Sequence, residues 1–373
     1  MAEEKILDYK KLEIRHKTEP DEEILSLIAK TVLGTGAGLR YSVRDAAERM
    51  KYYGNGLSFV ALYKRNNLEG VIGLSRRTIT NGERNYRSTF LRYLAVRGAF
   101  QIPKVANRSL QRLSRMQDSF KQKIFSLFSS PASIPGAMEN PSDPHVVYAC
   151  VERENDRSRN FVRQAGYEHI RSFATIAFSR FHPKRNPAVH RLSPAEEPEM
   201  MRLLDEQYRE YTFYTSEFSF LDHRYYVMKE GERILAGVSA IPTVFRVVHF
   251  PGLRGWVLMN LLPVLPYFRQ IFRPGEFGFL VLDSIYCPQG SEHLLPDLFE
   301  SVCATEGLSS GLTWHDTESR LCRALQANRR LGVLNRILTT KPGVLYASFS
   351  NISAEEKRNF IEKPAFLAGL DFA

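Results

Sequence analysis

The sequence predicts an α/β fold, a mixed sheet of the α+β kind, built as two similar units in tandem over residues 1–185 and 186–373. Three observations carry that expectation. The first half reads strand, two helices, hairpin, strand, helix, strand, helix, strand, and the second half repeats much of that order. A hydrophobic content of 43% with 25% charged residues suits a chain that buries a sizeable core without staples. A length of 373 residues also exceeds one typical domain.

Taken in order, LEIRH from Leu12 reads as a strand and Asp21 to Leu33 as a helix. The cluster Gly34-Thr35-Gly36-Ala37-Gly38 follows a helix and does not match G-x-G-x-x-G, so it reads as a helix–helix loop. A second helix is expected over Ser42 to Tyr52. SFVALYKR and GVIGLSRRTIT, joined at Asn66-Asn67, form an antiparallel hairpin leading into Ser88–Val96. That run is aromatic and aliphatic with no Pro or Gly, as in an interior strand. It ends at Arg97-Gly98, and Pro103 then falls just inside a new helix, where its missing N–H costs nothing. A helix that opens directly after a strand turns unpaired N–H groups and its positive end toward the joint, where an anion sits naturally. Residues 104–128 continue as an amphipathic helix with Leu113, Met116, Phe120, Ile124 and Leu127 on one face, suited to packing on the domain, a partner or a membrane surface. A Pro/Ser loop follows. His145 to Arg180 then reads strand, helix, Gly166-Tyr167 and closing strand.

Two of these stretches carry a resemblance. Val96 ends its strand and is followed by Gln101-Ile102-Pro103-Lys104-Val105-Ala106 at the head of a helix. Val151 ends another strand, with Asn155, Ser158 and Phe161 on the helix after it. This order resembles the acyl-CoA site of the GNAT N-acetyltransferase superfamily, with Lys104 where that family usually has Gly. A Lys fits there where the backbone needs no positive φ. The resemblance implies two tandem GNAT-like acyl-CoA N-acyltransferase domains. It also implies a cofactor, acetyl-CoA or another acyl-CoA, held by Val96, Arg97, Gln101, Lys104, Val105, Ala106 and Asn155.

HPKRNPAVH (182–190) is the expected linker, Pro-punctuated and polar. Beyond it YYVMKEGERILAGVSAIP echoes FVALYKRNNLEGVIGLSRR, with Gly237 in the place of Gly73. GFLVLDSIYCPQG, HLLPDLFESVCATEG, GLTWHD, Ser319 to Leu331 and VLYASFS supply strand, helix, strand, helix and strand. The second turn, Pro288 to Ser291, lacks the acyl-CoA loop spacing, so the second unit is expected to be degenerate as a cofactor site. GLRGWVLMNLLPVLPYFRQIF (252–272) is the most apolar section, too broken by Asn260, Pro263 and Pro266 to span a bilayer, which takes roughly 20 apolar residues. It reads as a buried helix pair between the units, or as the lining for a long acyl chain.

Charge is uneven. Through Arg185 there are 32 Lys+Arg against 19 Asp+Glu, about +13, and the remainder has 19 against 22, about −3, for a net +10. The basic half is the one holding both motif stretches, which suits an anionic cofactor. No named nucleic-acid module is visible and no nucleic-acid partner is expected. Cys150, Cys287, Cys303 and Cys322 show no metal or redox spacing, so buried thiols, a cytoplasmic location and no metal are expected. No secretory signal or transmembrane segment is read in the sequence.

The implied chemistry is transfer of an acyl group, acetyl first, to a primary amine by direct attack. The thioester carbonyl must be polarised, the amine deprotonated and the thiolate protonated. The resemblance assigns the first task to backbone N–H groups around Val96 and Arg97. The central strand offers Arg92 and Tyr93 but no carboxylate, leaving Glu152 and Glu154 as candidate bases and Tyr93 as a candidate acid. The usual Tyr position on the later helix is Val162, which cannot donate a proton. Arg92 on a buried strand needs an anionic partner, either substrate or a neighbouring carboxylate. Three readings follow: an acetyltransferase acting on a small-molecule or peptide amine, a long-chain acyl or aminoacyl transferase, and a non-catalytic CoA- or partner-binding protein. Monomer and homodimer are both compatible.

Overall fold

A computed structural model of the chain describes residues 3–9, 11–34, 39–97, 127–129, 140, 142–338 and 341–372. The first half forms strands β1 (Glu3–Tyr9), β2 (Leu12–Lys17), β3 (Arg40–Val43), β4 (Leu57–Lys64), β5 (Asn67–Thr80), β6 (Asn85–Val96), β7 (His145–Glu152) and β8 (Glu168–Ser179). Its helices are α1 (Glu22–Lys30), α2 (Ala46–Met50) and α3 (Asp156–Gln164). The second half adds β9 (Val189–Arg191), β10 (Tyr225–Glu230), β11 (Arg233–His249), β12 (Phe277–Tyr286), β13 (Ser310–Asp316) and β14 (Gly343–Ser350). Its helices are α4 (Glu197–Gln207), α5 (Gly252–Trp256), α6 (Pro266–Ile271), α7 (Leu295–Glu306), α8 (Arg320–Ala327), α9 (Val333–Ile337) and α10 (Ala354–Glu362).

All fourteen strands join one sheet in the order β1-β2-β4-β5-β6-β7-β14-β8-β13-β12-β11-β10-β9, with β3 paired to β11. Among these strands β6/β7 and β12/β13 pair in parallel and the other pairs are antiparallel. Strand β14 is the last in sequence, yet it lies between β7 and β8 of the first half. Both halves of the chain therefore share one sheet, and the stretch expected as a linker (182–190) is not free of structure, since its end enters β9 at Val189 and pairs with β10.

The inner strands are buried on both faces, and β4 shows how. Leu57, Phe59, Ala61 and Tyr63 join a core cluster that runs through both halves, whereas the intervening Val60 and Leu62 face a second cluster with Leu91, Val147 and Val162. Alternation of period 2 thus places one strand in two cores. Helix α1 begins at Asp21, whose carboxylate accepts the Ile24 N–H at 2.9 Å, a side-chain cap on an otherwise orphan donor.

The two hairpins share their irregularities. The β4/β5 register shifts between Leu62 and Tyr63, and the β10/β11 register between Met228 and Lys229. On the next strand Val71 faces Ala95 and Gly73 faces Arg92, while Gly237 faces Tyr286 and Ser239 faces Asp283. Each pair thus carries one extra residue on its second strand, a bulge, with positive φ at Tyr93 (51°) and at Ser284 (45°). Matching the bulges pairs Arg92 with Asp283 and Gly73 with Ser239. The sequence had set Gly237 against Gly73, but the register sets it against Val71. Gly73 has its own reason: a Cβ there would lie 3.2 Å from the Tyr93 ring.

Other expectations need correcting. The helix expected over Ser42 to Tyr52 is shorter, because Arg40–Val43 pairs with β11 and tertiary pairing outweighs local helix preference. Strand β1 was not foreseen in the charged N-terminal stretch, where it pairs with β2. The 252–272 section is not a buried helix pair. It is a run of short α, π and 3-10 turns in which Leu258 and Ile271 are buried while Leu253, Trp256, Leu261, Val264, Leu265 and Tyr267 are exposed. Most of the glycine cluster (35–38), and the helix and Pro/Ser loop of 104–144 apart from residues 127–129, 140 and 142–144, lie outside the described residues.

Candidate functional site

Strands β6 and β7 stay in register from Arg87 opposite His145 to Leu91 opposite Ala149. Just beyond, the Tyr93 bulge re-aims β6, and the two strands part as β6 runs to Val96 and β7 to Glu152. A parallel pair that separates in mid-sheet opens a slot, and a cavity of about 920 Å³ occupies it. Its lining includes Val60, Leu62, Leu91 and Val162 from the core on one face of the sheet and Tyr41, Phe245 and Phe277 from the core on the other. The cavity therefore passes through the sheet.

Tyr93, Arg92, Glu152, Val96 and Asn155 all line this cavity. Tyr93 Oη is buried and has no hydrogen-bond partner among the described residues. Glu152 closes β7 close enough to Tyr41 that its charge adds to burial in pushing that phenol up to about 12. Glu154 instead pairs with Lys341 at 3.1 Å. Asn155 caps α3, its side-chain oxygen accepting the Ser158 N–H at 3.1 Å. Val162 is buried in the wall. Arg97 is exposed and its N–H donates to the Glu69 carbonyl at 2.8 Å, so that donor is already used. Gln101, Lys104, Val105 and Ala106 lie outside the described residues. Cys150 also lines the cavity, and burial pushes its thiol well up, which leaves it protonated rather than nucleophilic.

Arg92 faces protein groups. Its guanidinium lies between the rings of Tyr53 (4.1 Å) and Tyr93 (4.0 Å) and donates to the Leu370 carbonyl at 3.1 Å. Asp371 Oδ1 stands 3.6 Å from Nη1. That carboxylate belongs first to Arg77, which grips it at 2.7 and 2.9 Å, and both side chains are almost fully buried. Burial opposes the charge on Arg77, but Asp371 outweighs it and raises the guanidinium, whereas burial wins at Arg92 and lowers it. Arg49 also donates to the Leu370 carbonyl, at 3.3 Å. Three buried arginines thus converge on residues 370–371, and Phe372 stacks on Trp314 at 5.4 Å beside them. Sequence reading missed this C-terminal contribution. The signal available was a carboxylate in the apolar stretch AFLAGLDFA, with buried-strand arginines needing a partner.

The equivalent opening in the second half is filled. Strands β12 and β13 pair at Leu280 opposite Gly311 and Val281 opposite Leu312. Past the Ser284 bulge, Gln207 at the end of α4 and Tyr208 just after it donate to the Ile285 carbonyl at 2.6 and 2.8 Å, and Gln207 Oε1 accepts the Cys287 N–H at 2.6 Å. One side-chain amide therefore covers the strand edge as a neighbouring strand would. Asp283 is buried here, its Oδ1 accepting the Ser284 N–H at 2.8 Å, and burial pushes its carboxyl up to about 6. An unfolded Asp titrates near ~3.9, so the folded chain keeps an extra proton between that pH and about 6. Its contribution is complete below about pH 4 and is lost as pH rises through the folded value. Asp283→Asn should therefore gain on the order of 2–3 kcal/mol over wild type at pH 8, relative to their difference at pH 4. Urea midpoints at both pH values read this, and a pH-independent difference would reject it.

No family model and no curated protein sequence matches the chain. Solved structures do. Saccharomyces cerevisiae N-myristoyltransferase with bound myristoyl-CoA superposes with a TM-score of 0.53 at 9% identity, covering 94% of this chain and 85% of that one. A second structure of that yeast enzyme, with bound myristoyl-CoA and inhibitors, gives 0.53 at 10% identity, covering 94% and 83%. The chain shares the fold of that yeast enzyme. Within that fold the parted parallel strands β6 and β7 form the slot described above. Among the described residues no group of three His, Cys, Asp or Glu side chains could hold a metal ion, and no helix is long and apolar enough to cross a membrane.

Proposed function

We propose that the chain is an acyl-CoA-dependent N-acyltransferase made of two copies of one unit, residues 1–185 and 186–373. The acyl-CoA sits in the first copy, and the second copy's slot is closed by Gln207 and Tyr208. The observation that carries this reading is the cavity between β6 and β7, about 920 Å³ and walled mainly by aliphatic and aromatic side chains. A cavity of that size takes a drug-sized apolar ligand, far more than an acetyl group. The geometry therefore favours a longer acyl chain over acetyl. The shared fold with a yeast enzyme solved with myristoyl-CoA is compatible with that choice.

In the proposed reaction the acceptor nitrogen attacks the thioester carbonyl, the C–S bond breaks, and the amine's proton is lost as the leaving thiolate gains one. Glu152 accepts the first proton and Tyr93 Oη supplies the second. An alkyl thiol has a pKa near ~8.5, so solvent could reprotonate it if Tyr93 only positions the sulfur. Because the Arg97 N–H is spent on Glu69, the N–H that polarises the carbonyl falls to the bulge residues, where a strand leaves one residue unpaired. Arg92, already facing Asp371, positions Tyr93 through its ring contact. Gln101, Lys104, Val105, Ala106 and Asn155 remain the proposed holders of the CoA diphosphate. The acceptor is a small-molecule or peptide amine, and a cytoplasmic location is part of the proposal.

Calorimetric titration with acetyl-, octanoyl- and palmitoyl-CoA tests chain length. Affinity should rise at least tenfold from the first to the last, since each buried CH₂ contributes about 0.8 kcal/mol. Equal affinities would reject the apolar slot as the acyl site. A thiol-release assay against an amine panel then separates enzyme from binder: tight binding with no release for any amine would favour the non-catalytic reading that Val162 permits.

A further inference from the structure

Ten large hydrophobic side chains are exposed among the described residues, and six fall in the short stretch Leu253 to Tyr267: Leu253, Trp256, Leu261, Val264, Leu265 and Tyr267. Leu253, Val264 and Tyr267 are 79%, 75% and 63% exposed. Scattered exposed apolar residues need no explanation, but a cluster of this kind marks an interaction surface. The same section holds Arg254, Arg269 and Arg273 and no Asp or Glu from residue 250 to 275. Glu276 follows, 3.4 Å from Arg273. Phe268 packs on Phe181 and Tyr267 on His182, so the exposed linker residues Lys184 and Arg185 adjoin the patch.

We propose that the 252–273 cap docks on an anionic lipid surface. The charge pattern decides between occupants. A second copy would meet this patch with the same patch across a two-fold axis, setting arginines against arginines with only Glu276, already beside Arg273, to offset them. An anionic bilayer complements it: apolar side chains enter the headgroup boundary, Trp256 and Tyr267 sit at the interface, and the exposed Arg269 and Arg273 meet lipid phosphates. The turns are too short to span, and the buried Leu258 and Ile271 tie them to the core. Phe272, within the cap, and Phe277, just after it, line the cavity. The cap thus stands at one wall of the slot, a position suited to exchanging an amphiphile with a membrane. The docking itself does not depend on the acyltransferase reading.

Cosedimentation of the full chain with phosphatidylcholine vesicles, and with phosphatidylcholine–phosphatidylglycerol vesicles at about 7:3, tests the proposal. Binding should favour the anionic vesicles, weaken with salt, and shift Trp emission to the blue. Leu253→Ser with Val264→Ser should abolish it, and circular dichroism checks that the variant is folded. Arg269→Glu with Arg273→Glu should weaken anionic-vesicle binding about tenfold or more, a second arm that leaves the apolar contacts in place. The proposal is overturned by a wild-type chain that stays in the supernatant with both vesicles. Variants that bind as wild type would overturn it too, as would a wild-type dimer that the Leu253/Val264 substitutions convert to monomer, which would make the cap a self-interface.

Discussion

Asp371→Asn should lower the unfolding free energy by about 3–5 kcal/mol at pH 7, the cost of leaving a buried cation without its partner. Asp371 and Arg77 have side chains 0% and 1% exposed and meet through two hydrogen bonds, so water cannot take over the lost contact. Arg92, 3.6 Å from the same carboxylate, loses its counter-charge in the same step. Arg92→Met should cost less, because it removes a guanidinium that burial already disfavours and leaves the Arg77 pair intact. Replacing both members, Arg77→Met with Asp371→Leu, should recover part of the loss. Urea unfolding of the three variants measures this, and equal losses for Asp371→Asn and Arg92→Met would show that Arg92 holds the carboxylate as strongly as Arg77 does.

Under the proposed chemistry Glu152→Gln should reduce kcat by about 10²–10⁴-fold, the range for removing a general base, while the affinity for acyl-CoA stays within about threefold. Tyr93→Phe should have a smaller effect, since solvent can reprotonate the thiolate. Its loss should grow with pH if the phenol is the proton donor. Single-turnover thiol release with and without acceptor separates chemistry from binding. A Glu152→Gln chain that keeps full kcat would transfer the base role elsewhere.

What the sequence revealed followed its periodicity. The hairpins, the central strand and α3 were legible because alternating or helical runs there are bounded by turn residues. The parted strands were half legible: their end points were visible, but the bulge at Tyr93 was not, because a positive φ at Tyr carries no signal of its own. Arg92 was expected to need an anion, and the carboxylate 3.6 Å from it, Asp371, lies 279 positions away, as 371 minus 92 shows, where no local pattern reaches. Strand β3 was lost for a similar reason, since its four residues are held by β11 of the other half. The apolar cap was read as buried from its hydrophobicity alone, and hydrophobicity does not say which side of a surface it faces.

The place of β14 bears on how the chain is made. During synthesis β7 emerges early, but its open edge is closed only after most of the second half has followed. Until then a bare strand edge is available to other chains, and the contact that finally covers it is among the longest in sequence. Slow maturation, dependence on a chaperone that shields the nascent edge, and insolubility of fragments ending near the linker are the expected price of interleaving the halves.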